Sequence, residues 1–287
     1  MERLFFVFLL TVFINVINAL TRSSRLAGVR TGRLATAISL FSVVYLAASM
    51  ANTLQAPFLA STVENVIKSV KDSPLAYQEI IRSELDAKLR FIILGATTGT
   101  VLGTLLIPTF VATFANAVNA FGEVGSVFKL IPRFFFSLFT PGKGILVFRM
   151  TRFHDLKRIA FRKTAIPAGF YYWNLFSYSL WTVNVLAGLY AGALYPEYRQ
   201  TAVLMASIVG NTAIVVNVMM VDPVLARATD EVARGEKGED DLKQIVFYLA
   251  LTYILGTVLS QAVLVPVAEG LKWLTVWLNP VQNGGVL

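Results

Sequence analysis

Four arginines stand together in TRSSRLAGVRTGR: Arg22, Arg25, Arg30 and Arg33, between two long apolar runs. A guanidinium is a rigid fork of donors that matches a phosphate or carboxylate bidentately. On a helix Arg30 and Arg33 would share a face. Gly28 would let the backbone turn or approach a ligand closely. The chemistry on offer is capture of a phosphate or pyrophosphate at a membrane face. The competing explanation is a positive anchor, which needs only a few cations on the cytoplasmic side.

A second cluster, Asn52-Thr53-Leu54-Gln55, closes the next apolar run just before Pro57. Asn15, Asn18, Asn184, Asn211 and Asn217 add amides within apolar stretches. Amides at membrane depth must find partners, and neighbouring helices can supply them. The alternative is a hydrophilic cavity that receives sugar or peptide groups.

Carboxylates are scarce inside the apolar runs. Glu64 and Asp222, at segment ends, are the candidate coupling acids. A proton pump usually carries an acid within a span, so coupling through a buried acid is disfavoured. The chain has no cysteine and one histidine, His154, which excludes disulfides, thiolate chemistry and a multi-histidine metal site. No HExxH, P-loop or GxSxG motif is present, so neither an enzyme nor a bound cofactor is expected.

These residues must be held by membrane helices. The chain is 56% hydrophobic and only 15% charged, with a mean hydropathy of +0.65. A soluble domain carries about 25% charged residues. The pattern predicts an all-α polytopic membrane protein, because only helices and closed barrels satisfy their backbone in lipid. Six transmembrane helices are expected, near residues 4–20, 34–57, 91–120, 165–194, 201–221 and 245–268. The first has a faint leader-like charge pattern but a poor cleavage site, so it reads as an uncleaved span. Pro57, Pro108, Pro167, Pro223 and Pro266 mark expected breaks or bends. Trp273 and Trp277 suggest an interfacial helix at the tail. Phe128 to Phe139, around Lys129 and Arg133, reads as an amphipathic helix on the inner leaflet. Arg149, Arg152, Lys157, Arg158, Arg162 and Lys163 follow as a basic run, expected to meet anionic lipids.

Alternate connections carry seventeen Lys and Arg on one side and eight on the other. The richer side is expected to be cytoplasmic, which leaves both termini extracytoplasmic.

An internal repeat is also visible. PFLASTVENV (57–66) aligns with PVLARATDEV (223–232). Leu89, Ile92, Leu102, Gly103, Thr104 and Leu106 match Leu242, Ile245, Leu255, Gly256, Thr257 and Leu259. Asn15 falls loosely opposite Asn184. Three spans per half insert the second half upside down, the signature of an alternating-access carrier. The single domain, 1–287, would then divide into halves 1–120 and 165–270, joined by a basic cytoplasmic loop, 121–164. Gly95, Gly99 and Gly103 recur every four positions, which allows close packing within the chain or a homodimer face.

RLAGVRTGR followed by ANTLQAPFLA, with SLWTVNVLAGLYAGALYPEYR further on, resembles the Amj ("alternate to MurJ") lipid II flippases of bacteria. The resemblance extends over nearly the whole chain, from residue 4 to about 275. It implies a protein of the bacterial cell membrane that moves an undecaprenyl-pyrophosphate-linked peptidoglycan precursor from the inner to the outer leaflet. Its partners would be that glycolipid and membrane lipids, with no nucleic acid. In this reading the arginines take the pyrophosphate at the cytoplasmic mouth, and Asn52 to Gln55 lie towards the exit. A secondary transporter for a small solute would instead have a cavity closed to lipid. A scaffold for envelope enzymes would have tightly packed spans and no polar cavity.

Overall fold

The computed structural model describes residues 2–70, 74–130, 132, 145–149 and 167–279. Among these every regular element is helical. Helix α1 (Glu2–Leu20) passes through a 3-10 turn, Thr21–Ser23, into α2 (Ser24–Thr31). Then come α3 (Leu34–Ser69), α4 (Pro74–Ile80), a π-turn at Ile81–Leu85 and α5 (Asp86–Val124). The distal part holds α6 (Ala168–Leu194), α7 (Arg199–Val216), a π-turn at Asn217–Val221, α8 (Asp222–Ala233) and α9 (Glu239–Leu278).

Among the described residues five helical stretches are long and apolar enough to cross a membrane: Glu2–Thr31, Leu34–Ser69, Tyr77–Val124, Pro196–Ala233 and Glu239–Leu278. The 27-residue α6 carries no charged side chain, but with its tyrosines, serines and asparagines it does not fall among these five.

Pro57, Pro108 and Pro266 do not end helices; they lie inside α3, α5 and α9. Each forfeits one backbone hydrogen bond, and in a bundle the freed carbonyl finds other partners. Pro167 does mark a start, immediately before α6. Pro223 follows the π-turn inside a helical run that continues from Pro196 to Ala233. Trp273 and Trp277 belong to the last turns of α9 rather than to a separate helix.

Helices α1, α5 and α7 run one way and α3, α6 and α9 the other. The Arg30–Glu239 pair (2.7 Å) joins the end of α2 to the start of α9. The Arg33 guanidinium lies against Gly122, which brings the end of α5 to the same pole. At the opposite pole Tyr77 donates to the Ala193 carbonyl (2.8 Å), and Arg82 and Glu269 pair at 2.7 Å.

Packing between α1 and α5 depends on the glycine row. A Cβ at Gly99 would overlap the Val12 carbonyl, and one at Gly103 would lie 2.7 Å from the Ala19 Cβ. Those glycines therefore serve contact within the chain, where bare backbone lets α1 approach. Gly256 does the same on α9: its Cβ would lie 2.9 Å from the Leu175 carbonyl of α6.

Two apolar clusters form the core, one at each pole. Val7, Leu59, Leu89, Val183 and Leu264 belong to one; Ile17, Phe41, Val111, Phe170 and Leu249 belong to the other. Between them runs a buried polar waist: Thr11, Asn15, Gln55, Thr100, Asn174, Thr252 and Ser260. Outward-facing Phe13, Leu46, Met50, Leu105 and Leu204 are exposed, as a lipid-facing surface demands.

Of the amphipathic segment only 127–130 and Pro132 are described, and of the basic run only Arg149. The other residues named in these segments, and His154, lie outside the described residues. Residues 145–149 run beside α5, where Thr109 Oγ1 donates to the Arg149 carbonyl (2.7 Å) and Asn116 Nδ2 to the Ile145 carbonyl (3.2 Å).

Candidate functional site

The 3-10 turn after α1 directs Arg22 across the bundle. Its guanidinium donates to Asn217 Oδ1 (2.7 Å), Asp222 Oδ1 (3.2 Å) and the Tyr178 hydroxyl (3.4 Å). In an α-helix residues five apart diverge by about 140°. The π-turn at Asn217–Val221 repeats i→i+5, which stacks Asn217 and Asp222 onto one cation. Asn217 also donates to Ser177 Oγ (3.2 Å). The Arg22 side chain is only 13% exposed and Asp222 44%, so the cation is buried and its counter-ion reaches open space.

That space is a cavity of about 330 Å³, lined by Arg22, Arg25, Asp222, Asn18, Asn217, Tyr45, Tyr178 and Trp181 among others. Arg25, one turn beyond Arg22, has no carboxylate partner among the described residues. Asp222 and Asp230 are the acids near enough to act on it through space.

A second cavity of about 300 Å³ is lined by Thr11, Asn15, Asn18, Ser49, Asn52, Gln55, Trp181, Thr182 and Asn184, and by no charged residue. Asn18, Tyr45 and Trp181 line both spaces. Behind their shared wall the polar waist is bonded. Gln55 Nε2 donates to Thr11 Oγ1, and Asn15 Nδ2 to the Thr11 carbonyl (2.8 Å). The Tyr253 hydroxyl donates to Asn15 Oδ1 (2.7 Å), and its ring stacks on Tyr178 with centroids 3.8 Å apart. A line of contacts thus connects Arg22 to Gln55 through the bundle. Asn174 Nδ2 donates to Thr252 Oγ1 (2.7 Å), while Asn174 Oδ1 is buried without a donor among the described residues.

Among the described residues one side of the cavities is open. Helices α3 and α7 pack on α1 and α6 respectively but make no extensive contact with each other. Tyr45 (42% exposed), Ile214 and Val218 form an apolar rim on that side. Among the described residues no helix stands between the polar lining and that rim.

The structure distributes the residues singled out in the sequence. Arg22, Arg25, Asn217 and Asp222 line the first cavity; Asn15, Asn52, Gln55 and Asn184 line the second; Asn18 lines both. Arg30 is paired to Glu239, and Arg33 is exposed. Glu64 pairs with Arg199 (3.6 Å) at the far pole, and Asn211 is exposed on α7, outside both cavities. Arg30 and Arg33 do not share a helical face, because α2 ends at Gly32 with φ of 63° and Arg33 begins α3. Gly32 makes the turn. Gly28 instead admits α3, since a Cβ there would lie 2.9 Å from the Leu34 Cα.

Sequence reasoning passed over Tyr45, Tyr178, Trp181, Tyr253 and Asn174. For Asn174, Tyr178 and Trp181 the available signal was the density of aromatic and amide groups in α6, a helix without a charge.

A family model described as "Amj: Alternate to MurJ" matches residues 10–275. The curated protein "Lipid II flippase Amj" of Bacillus subtilis (strain 168) is 32% identical over 276 residues, covering 96% of this chain and 97% of the relative. No solved structure matches the chain.

Proposed function

The chain belongs to the Amj (alternate to MurJ) family, and on that premise we propose that it is a lipid II flippase, carrying the polyprenyl-pyrophosphate-linked precursor from the cytoplasmic to the outer leaflet. No bond is made or broken; the task is to shelter a polar head while it crosses hydrocarbon. The observation that carries this reading is a polar tract that, among the described residues, opens sideways onto the lipid-facing surface between α3 and α7. A solute carrier needs no lateral opening, and a scaffold needs no cavity.

The division of labour follows from the lining. Arg22 and Arg25 receive the pyrophosphate. Asn15, Asn52, Gln55 and Asn184, with Asn18 at the junction, offer amides to sugar and peptide groups. The prenyl tail stays in lipid beyond the rim of Tyr45, Ile214 and Val218. Cavities of about 300–1,000 Å³ suit drug-sized ligands. The two spaces lie at the lower end of that range, so the head passes in parts or the walls separate during transport.

In this reading α6 is the sixth span, and α1, α3 and α5 form a half that is repeated, inverted, in α6, α7 and α9. Three features support it. The first helix of each half packs on the second and third helices of its own half. Corresponding helices run in opposite directions. The aligned glycines, Gly103 and Gly256, both seat the third helix against the first. Those contacts pair Asn15 with Asn174 rather than with Asn184. The halves are 1–120 and 165–270, in one domain, with the basic segment 121–164 between them. The Arg22 pole is cytoplasmic, which puts both termini outside. The chain's lack of cysteine makes single-cysteine labelling at either pole a direct assay of that orientation.

The test of function is complementation. The cell's other lipid II flippase is depleted, this chain is expressed, and lipid II is measured at the outer leaflet. Restoration is the expected result; no lipid II there, with the protein in the membrane, overturns the assignment.

A further inference from the structure

Resting on that reading, we infer that Asp222 is a placeholder anion: the substrate's phosphate displaces it from Arg22, and this exchange releases the tie between the end of α1 and the start of α8. Arg22 is held from across the bundle by Asp222, Asn217 and Tyr178. The Asp222 bond is longer than that to Asn217, 3.2 Å against 2.7 Å, and the carboxylate is the half-exposed partner, facing the cavity. Beside it Arg25 faces the same cavity with no carboxylate partner among the described residues. Two guanidiniums and one carboxylate leave a net single positive charge. The dianionic pyrophosphate diester of the substrate matches both arginines only when Asp222 has moved away.

Asp222 has somewhere to go. Its carboxylate is half exposed and already faces the cavity, where water can hydrate it once Arg22 is taken. The π-turn just before it holds Asn217 and Asp222 in register on Arg22. Such turns are single-turn distortions found often at functional sites. Loss of the Asp222 bond removes the reason for that register. Substrate binding is thereby linked to loosening of one pole, because the substrate binds the freed arginines better than the tied ones.

The experiment uses the full-length protein in nanodiscs, with Trp173, Trp273 and Trp277 replaced by Phe so that Trp181 reports on the cavity. Inorganic pyrophosphate is titrated, with inorganic phosphate and sulfate as comparison anions. Asp222→Asn is expected to bind pyrophosphate about tenfold tighter than the parent. Asp222→Glu, which keeps the competitor, should bind as the parent does, and Arg25→Gln should lose binding. In parallel, spin labels on Thr31→Cys and Arg227→Cys should move apart on adding pyrophosphate to the parent. They should already be apart in Asp222→Asn without ligand. Unchanged or weaker binding in Asp222→Asn overturns the placeholder role, as does a label distance indifferent to pyrophosphate. If Asp222→Asn does not fold, the label distance in the parent decides alone. Complementation by a chain that fails these tests would leave the flippase reading standing. The displacement pattern in a chain that fails to complement would retain the anion site and remove lipid II as its occupant.

Discussion

The two cavities share Asn18, Tyr45 and Trp181 as a common wall, yet their chemistry differs sharply. The first holds Arg22, Arg25 and Asp222; the second holds amides and hydroxyls and no charge. A charged group in low dielectric is stable only with partners, and Arg22 has three. Amides at the same depth need only hydrogen bonds, which Gln55 and Asn15 obtain from α1 and from Tyr253. In the proposed reading one space exchanges anions and the other neutral hydrogen bonds. That separation corresponds to a substrate with a pyrophosphate joined to a sugar–peptide head.

The hardest blow to this division is charge reversal. Arg25→Glu should reduce lipid II appearing at the outer leaflet about 100-fold, in line with the cost of a misplaced charge at a close pair. An equal loss from Gln55→Ala would erase the distinction between the cavities. Arg22→Ala should lower stability by about 2–3 kcal/mol, read by denaturant unfolding in detergent. That is less than a fully buried pair would cost, because Asp222 is half exposed and can be hydrated. Trp181→Ala strikes the wall common to both spaces and should cut transport about tenfold through the loss of that large apolar surface. Gln55→Ala, confined to the uncharged side, should cost about 1 kcal/mol of stability, the scale of a hydrogen bond between membrane helices. Arg30→Gln is the control. Its pair with Glu239 is partly solvated, so stability should change by no more than about 0.5 kcal/mol.

Much of the site was legible as composition. Arginines beside an apolar run and amides within one are rare enough to notice, and eight of the eleven residues proposed for substrate line a cavity. Three differ for local reasons. Arg30 is held by Glu239 at the start of α9. Arg33 lies beyond the left-handed Gly32, so it faces the end of α5 instead of its neighbours. Asn211 sits on the outer side of α7, a side that periodicity alone could not orient. The aromatic members were overlooked because tyrosine and tryptophan at membrane depth usually read as packing or as interfacial anchors.

The sequence by itself determined a helical membrane protein with one strongly basic pole, because lipid forbids an unpaired backbone and few charges tolerate its interior. It also carried the family, through motifs spread over almost the whole chain. Tertiary structure decided which cations share a cavity and which are neutralised. It did so through features with little signature in composition: a 3-10 turn that aims Arg22 inward, a glycine at φ 63° that turns Arg33 away, and a π-turn that sets Asn217 and Asp222 on one guanidinium. The reason is geometric. Charge along a chain can be counted in one dimension, but which charges meet depends on angles that accumulate over every helix between them.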